Sequence, residues 1–198
     1  MNPHEKKRTE NTVKSGILTL FFFNLREKIQ NVEAGLSAEI RFISGESASA
    51  KENLMKKNIH FKERLDKGDI CCCAIFREEV VSYCWMTSNS APIGEVGKSI
   101  ILKNREIYLY DAFTEPEYRG NGLFPKILAA ILRRGGQEGY KKAFIFALSS
   151  NKSSVVAIRR TGFNSFQSVH FLDIGSTILC RFGKPRNGES SIEGQFTP

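Results

Sequence analysis

The sequence has few of the residues from which metal centres and histidine-based catalysis are built. Three histidines, His4, His60 and His170, are scattered over 198 residues, and no two of them form a ligand pair or a dyad. The five cysteines, at 71, 72, 73, 84 and 180, include no C-x-x-C spacing, so neither a zinc knuckle nor a dithiol redox motif is present. Adjacent strand residues point to opposite faces, so Cys71, Cys72 and Cys73 cannot converge on one ion. They are expected to be small buried hydrophobes in a reducing compartment, and no metal is expected. Long apolar runs are missing too. The densest, Gly16 to Asn24, is about half of the roughly 20 residues that span a bilayer and reads as a buried strand. Lys6, Lys7 and Arg8 precede it, but no small-residue cleavage pattern follows, so no secretory leader is expected. A cytoplasmic location with no membrane partner is the expectation.

Basic charge is in excess. The chain carries a net charge of +8. Between Arg119 and Arg160 nine basic residues face one acid, Glu138, so this window alone holds 9 − 1 = +8. A solvated basic surface and a polyanion site are both consistent with such a stretch. Nucleic acid is the less expected polyanion, because the window coincides with the phosphate-cradling loop described below.

A chain of this length buries one core. Residues 1–15 and 185–198 are polar and are expected to be flexible tails, flanking one domain over 16–184. Within it, Ala38 to Ser44 reads as a strand and Ser49 to Lys67 as an amphipathic helix ended by Gly68. Ile70 to Phe76 and Val80 to Met86 form a hairpin, and a loop runs from Thr87 to Lys98. Arg105 to Thr114 is strand-like, Gly122 to Gly135 helical, Lys142 to Leu148 a strand, and Asn151 to Thr161 a helix. Two further strands cover Phe163 to Asp173 and Thr177 to Phe182. The elements do not alternate strictly, which predicts an α/β (α+β) fold with a mixed sheet of about six to seven strands and helices on both faces.

The most informative segment is Tyr108 to Leu128, YLYDAFTEPEYRGNGLFPKIL, a strand that passes through a glycine loop into an apolar helix. Leu123, Ile127 and Ile131 recur at i, i+4 and i+8 and face a sheet. Pro125 falls in the first turn, where its missing N–H costs little. Gly120 and Gly122 allow close approach of a ligand, and the helix start adds free donors and a positive dipole end. A pyrophosphate suits such a cradle.

Arg119, Gly120, Asn121 and Gly122 resemble the R/Q-x-x-G-x-G/A motif of the GNAT acyltransferase superfamily. Asn151 to Phe163, NKSSVVAIRRTGF, begins 29 residues after Gly122 and is similar to that family's second element, N-x-x-[AS]-(x)7-G-F. The Lys67–Gly68–Asp69 turn and the strand ending in Ser82, Tyr83, Cys84 and Trp85 also resemble it, so the likeness covers roughly residues 38 to 183. It implies acetyl-CoA, or another acyl-CoA, as acyl donor and an amine-bearing acceptor. Backbone groups of Ala112, Phe113 and Thr114 would pair with the pantetheine arm. Amides of Gly120, Asn121, Gly122, Leu123 and Phe124 would hold the pyrophosphate, with Arg119 and Lys126 nearby. Asn151 would bond the pantetheine or acyl end, and Ser154 would pack on it. Lys152, Arg159 or Arg160 could meet the 3′-phosphate. Two positions depart from the family pattern: Phe124 stands where Gly or Ala is usual, and Ile158 where many members have the tyrosine that protonates the departing thiolate.

Asp111, Tyr110 and Tyr108 are therefore the catalytic candidates. Asp111 would orient a cationic amine or accept its proton through water, and each tyrosine would be a substitute acid or an acceptor wall. Structural roles, a hydrogen-bonded carboxylate and half-buried sheet tyrosines, stand beside these readings. Trp85 and Tyr83 could wall the acceptor pocket, and Glu95 is a weaker base candidate. The acceptor pocket is expected in loops 45–60 and 87–104. The leading expectation is transfer of acetyl to a primary amine by direct attack in a ternary complex. A catalytically inactive acyl-CoA-binding regulatory domain is the alternative. Monomer and homodimer are both left open.

Overall fold

The computed structural model describes residues 13–44, 60–175, 177–186 and 188–198. The chain order is β1 (Val13–Asn24), β2 (Glu39–Ile43), α1 (Phe61–Asp66), β3 (Ile70–Phe76), β4 (Glu79–Thr87), β5 (Ser90–Ile93), β6 (Lys98–Ile101), β7 (Glu106–Thr114), α2 (Leu123–Gln137), β8 (Lys142–Leu148), α3 (Lys152–Arg160), β9 (Asn164–Ile174), β10 (Thr177–Phe182) and β11 (Phe196–Thr197). Eight strands form one mixed sheet in the order β10-β9-β1-β8-β7-β4-β3-β2, and β11, β6 and β5 form a second, small sheet. The one parallel pairing among the described residues, β7 with β8, follows from the α2 crossover between them, since parallel neighbours need a long connection.

Period-two alternation sorts the side chains onto two cores. Leu18, Leu20 and Phe22 of β1 join Cys71 and Cys73 of β3 on one face, while Phe21, Phe23 and Cys72 lie on the other. The consecutive cysteines thus divide between faces, as strand geometry requires. Helix α2 lays Leu123, Ile127, Leu128, Ile131 and Leu132 on the second face, and Ile158 of α3 joins them. The first face is covered by Phe61 of α1 and by Ala91, Ile93 and Ile100 of the small sheet. The β3–β4 turn places Arg77 and Glu78 at φ 49° and 67°, the two positive values that a two-residue type I′ connection needs.

Four features differ from the sequence-based expectation. The main sheet has eight strands rather than six to seven, with the apolar run 16–24 inserted as a strand between β8 and β9. The expected loop Thr87–Lys98 holds β5 and a single 3-10 turn, Gly94–Val96. Alternation over only four residues is too short a signal to separate such a strand from a loop. The C-terminal residues, expected to be a flexible tail, are ordered against the domain. Ile192 is buried, Phe196 pairs with Ile100, and Gln195 donates to Ile101 O and Glu106 Oε2. In the N-terminal segment, Val13 to Ser15 already belong to β1, and residues 1–12 lie outside the described residues. So does most of the predicted 49–67 helix, of which Phe61–Asp66 is seen. No helix among the described residues is long and apolar enough to cross a membrane.

Candidate active site

The site arises where two strands part. Pairing of β7 with β8 runs from Glu106↔Lys142 to Leu109↔Ile145 and ends there, leaving the facing edges of Tyr110–Thr114 and Phe146–Leu148 apart. On its other side β7 stays joined to β4 through Ser82↔Thr114 and Tyr83↔Phe113. A cleft of about 700 Å³ opens at this divergence, lined by Ala112–Thr114, by the turn and first residues of α2, and by the start of α3. Its size lies within the range of small-molecule sites.

Helix α2 enters the cleft uncapped. Gly122 is its N-cap at φ 72°, with no side-chain cap and no acid in the first turn, so the positive dipole end and free N–H groups remain available to an anion. A Cβ on Gly122 would lie 3.1 Å from Glu33 O. The loop is held from behind: Gly35 N donates to Asn121 O, and Asn121 Nδ2 donates to Tyr118 O and Arg119 O. Arg119 donates through Nε to Thr114 O at 3.0 Å, and its guanidinium lies over the Phe113 ring. Lys152 and Arg160 add positive charge to the lining, which contains no acidic residue.

Of the residues singled out in sequence, Ala112, Phe113, Thr114, Arg119, Gly120, Gly122, Leu123, Phe124, Asn151 and Ser154 all line this cleft. Two do not. Asn121 turns its side chain into its own loop, and Lys126 reaches back to Ala38 O at 3.3 Å, just before β2. Asn151 caps α3, its Oδ1 accepting from Ser154 N at 3.2 Å and Ser153 Oγ at 2.9 Å. Phe124 forms part of the cleft wall. Ile158 turns into the core and is 1% exposed. Lys152 and Arg160 separate from Arg159, which faces a different cavity.

Beside the cleft, β7 carries a bulge. The register against β4 shifts between Tyr83↔Phe113 and Trp85↔Tyr110, and Asp111 takes φ 45°, a conformation that Asp tolerates better than most residues. The bulge re-aims its carboxylate toward the face that α1 covers, where it forms an ion pair with Arg64 Nη1. The Arg64 guanidinium sits 5.2 Å from the Trp85 ring centroid and 5.1 Å from that of Tyr110. Tyr110 donates its hydroxyl to Asp69 Oδ2, which is buried. Two carboxylates and one guanidinium thus meet at the edge of an otherwise basic cleft. Sequence reasoning missed Arg64 and Asp69, since only the α1–β3 turn, closed by Asp69 N donating to Arg64 O, brings them to β7.

The two tyrosines are poorly suited to give up a proton. Burial raises the Tyr108 phenol well above its ordinary range, with the charge of Glu95 adding to it; its ring stacks on Tyr110 and lies 4.8 Å from Phe146. Burial also raises Tyr110, and its bond to Asp69 raises it further. Trp85 is completely buried against Phe61, and Tyr83 is buried beside Phe113. They are core residues first, because β4 is central and covered on both faces. Asp111 is the candidate on β7 whose functional group stays partly exposed, and Glu95 is exposed on the Gly94–Val96 turn.

A family model of the GNAT acetyltransferases matches residues 39–163, well over half of the chain. The chain belongs to the GNAT acetyltransferase family. No curated protein matches the sequence. Solved structures show the same fold at low identity. A GCN5-related N-acetyltransferase from Sphaerobacter thermophilus is 9% identical over 91% of this chain and 55% of its own, with a TM-score of 0.57. A Drosophila protein is 13% identical over 84% of this chain and 53% of its own, with a TM-score of 0.55. An aminoglycoside N-acetyltransferase in complex with CoA is 16% identical over 72% of this chain and 98% of its own, with a TM-score of 0.50. The chain therefore spans about half the length of the first two and nearly all of the third.

Proposed function

We propose that this GNAT member transfers an acetyl group from acetyl-CoA to a primary amine of a small molecule by direct attack. The observation that carries the reading is the cleft at the β7–β8 divergence, which joins an open strand edge, an uncapped helix start and an acid-free basic lining. These fit a long, polyanionic thioester. The strand edge at Ala112–Thr114 would pair with the amide-bearing pantetheine arm, the Gly120–Phe124 turn would hold the pyrophosphate, and Lys152 or Arg160 would meet the 3′-phosphate. The Nδ2 of Asn151, left over from its helix cap, would donate to the arm.

The acceptor would enter from the α1 side. There Asp111 holds an ammonium in place of Arg64 and takes its proton through water, releasing the nitrogen lone pair. The new N–C bond forms as the C–S bond breaks; the second proton on the nitrogen is lost to water, and the departing thiolate takes up a proton from water to leave as the thiol. A free thiol such as cysteine ionises with a pKa of about 8.5, so a CoA thiolate is a tolerable leaving group without the missing tyrosine, and positioning supplies most of the acceleration. A catalytically inactive acyl-CoA-binding domain is the second reading, favoured by the burial of Ile158 and by the two locked tyrosines.

The test measures release of CoA thiol across a panel of primary amines, alongside calorimetric binding of acetyl-CoA. The Asp111→Asn variant, whose side chain also tolerates the left-handed backbone, should lower kcat/KM by roughly a hundredfold with acetyl-CoA affinity unchanged. Tight binding without turnover across the panel would favour the inactive domain. Absence of binding by folded protein would overturn both readings.

A further inference from the structure

A second cavity, of about 350 Å³, lies on the other side of α3 from the cleft. Its floor is the face of β1 and β9 that α2 and α3 leave uncovered, where Thr19 pairs with Ser168 and Ile17 with His170. Thr19 Oγ1 lies 2.6 Å from Ser149 Oγ, which gives the floor a pair of hydroxyls. Arg159, in the last turn of α3, lines it together with Arg186 and His170. No acidic residue lines the cavity.

The backbone of Arg186 is fixed in place. Its N donates to Phe166 O at 2.7 Å. The buried Gln167 ties down the chain around it, donating to Gly183 O and Ser191 Oγ and accepting from Ile192 N. Among the described residues, the side chains of Arg159, Arg186 and His170 make no hydrogen bond or ion pair. Two exposed guanidiniums and an imidazole therefore border a hydroxyl-floored pocket whose lining holds no counter-charge, a setting that offers an anion charge-assisted bonds from more than one residue.

We infer that this cavity binds an oxyanion, a phosphate or carboxylate carried by a small molecule other than the acyl donor. Both guanidiniums would grip it by charge-assisted bonds, and Ser168 together with whichever of Thr19 and Ser149 does not donate to the other would donate hydroxyl protons from below. The donor's phosphates have their own basic partners, Arg119, Lys152 and Arg160, in the other cleft.

The experiment follows the His170 ring resonances by NMR while inorganic phosphate is added, with chloride at matched ionic strength as the control. His170→Gln assigns the signal among the three histidines. A saturable millimolar shift, absent with chloride, unchanged by saturating CoA and lost in an Arg159→Gln/Arg186→Gln variant, is the expected result. A chloride-like, unsaturable drift would overturn the site. So would a phosphate response that survives in the double variant, or a response to CoA alone that abolishes the one to phosphate. Should the double variant not fold, Arg186→Gln alone decides, with a weakening of about tenfold or more expected and an undiminished affinity counting against the site. The phosphate arm does not require that CoA bind, so its failure is separable from failure of the transferase reading.

Discussion

The cradle at the start of α2 is most directly tested by one charge placed on Gly120. Gly120 has φ 80°, and a Cβ there would meet nothing within 4 Å, so a small side chain has room but must tolerate the left-handed backbone. Asn and Asp both do so and have nearly the same shape. Gly120→Asn therefore carries the conformational cost, and Gly120→Asp adds only a negative charge to it. At roughly 6 Å and an effective dielectric constant of about 40, a unit charge pair interacts by about 1.4 kcal/mol. A pyrophosphate with about two charges makes this about 2.8 kcal/mol, and screening over a Debye length of about 8 Å roughly halves it at physiological salt. Calorimetry with acetyl-CoA should thus show Gly120→Asp binding ~10 to 100 times more weakly than Gly120→Asn, with the gap narrowing as salt rises. Gly139→Asp is the control. Gly139 has φ 83° and equally open surroundings, but follows the far end of α2, roughly 20 Å away at 1.5 Å per residue, and should leave affinity unchanged. Equal affinities for the Asn and Asp variants, or a gap that persists at high salt, would refute the phosphate cradle.

Two further predictions concern stability. A Cβ on Gly135 would lie 2.9 Å from Ile107 Cδ1 and 3.5 Å from Leu25 Cδ1; Gly135→Ala should be near neutral in urea unfolding, its helical gain of about 1 kcal/mol offsetting mild crowding, whereas Gly135→Leu should cost roughly 2 kcal/mol or more. Burial pushes the Cys73 thiol from 9.0 up to about 12, partly opposed by Arg41. The folded state then holds the proton more tightly than the unfolded one, so this contribution is fully present below pH 9.0, declines as pH rises, and is gone by about 12. Through that window Cys73→Ala should make the fall in stability shallower by about 1.4 kcal/mol per pH unit, and an unchanged slope would show that the thiol ionises freely in the fold.

Local signals made the second half of the chain legible. The apolar spacing of Leu123, Ile127 and Ile131 shows which side of α2 meets the sheet, and Gly120 and Gly122 both take the positive φ that their loop needs. The cleft lining was readable for the same reason, as ten of the twelve donor-binding candidates lie on three short contiguous segments. What could not be read depends on distant pairings. Nothing in Gly16 to Asn24 says that the strand will lie between β8 and β9. The polar composition of 185–198 hides Ile192 and Phe196, which become useful only once the edge of β6 is there to receive them. Arg64 reads as one more charge on a polar helix face until the β7 bulge brings Asp111 to it.

The inserted strand also bears on how the cleft stays open. A gap between two strands would ordinarily close, since each exposes backbone donors and acceptors that the other could satisfy. Here β8 is held from its far side by β1 over seven successive pairs, Leu18↔Leu148 to Asn24↔Lys142, and β7 is held by β4 up to Thr114. Closing the gap would pull one strand from a partner that already satisfies its other edge. The β7 bulge adds a second obstacle by displacing the register beyond Tyr110. The cleft is therefore built before any ligand arrives, and little of the binding energy is needed to open it. On this argument Asp111 has two roles. Its positive φ is part of the distortion that keeps the strands apart, and in the proposed transfer its carboxylate would be the acidic group presented to the acceptor. The substitution that separates them is Asp111→Gly, which keeps the backbone freedom and removes the charge. It should retain acetyl-CoA binding while losing turnover, and loss of binding would mean that the side chain itself, through Arg64, sets the width of the cleft.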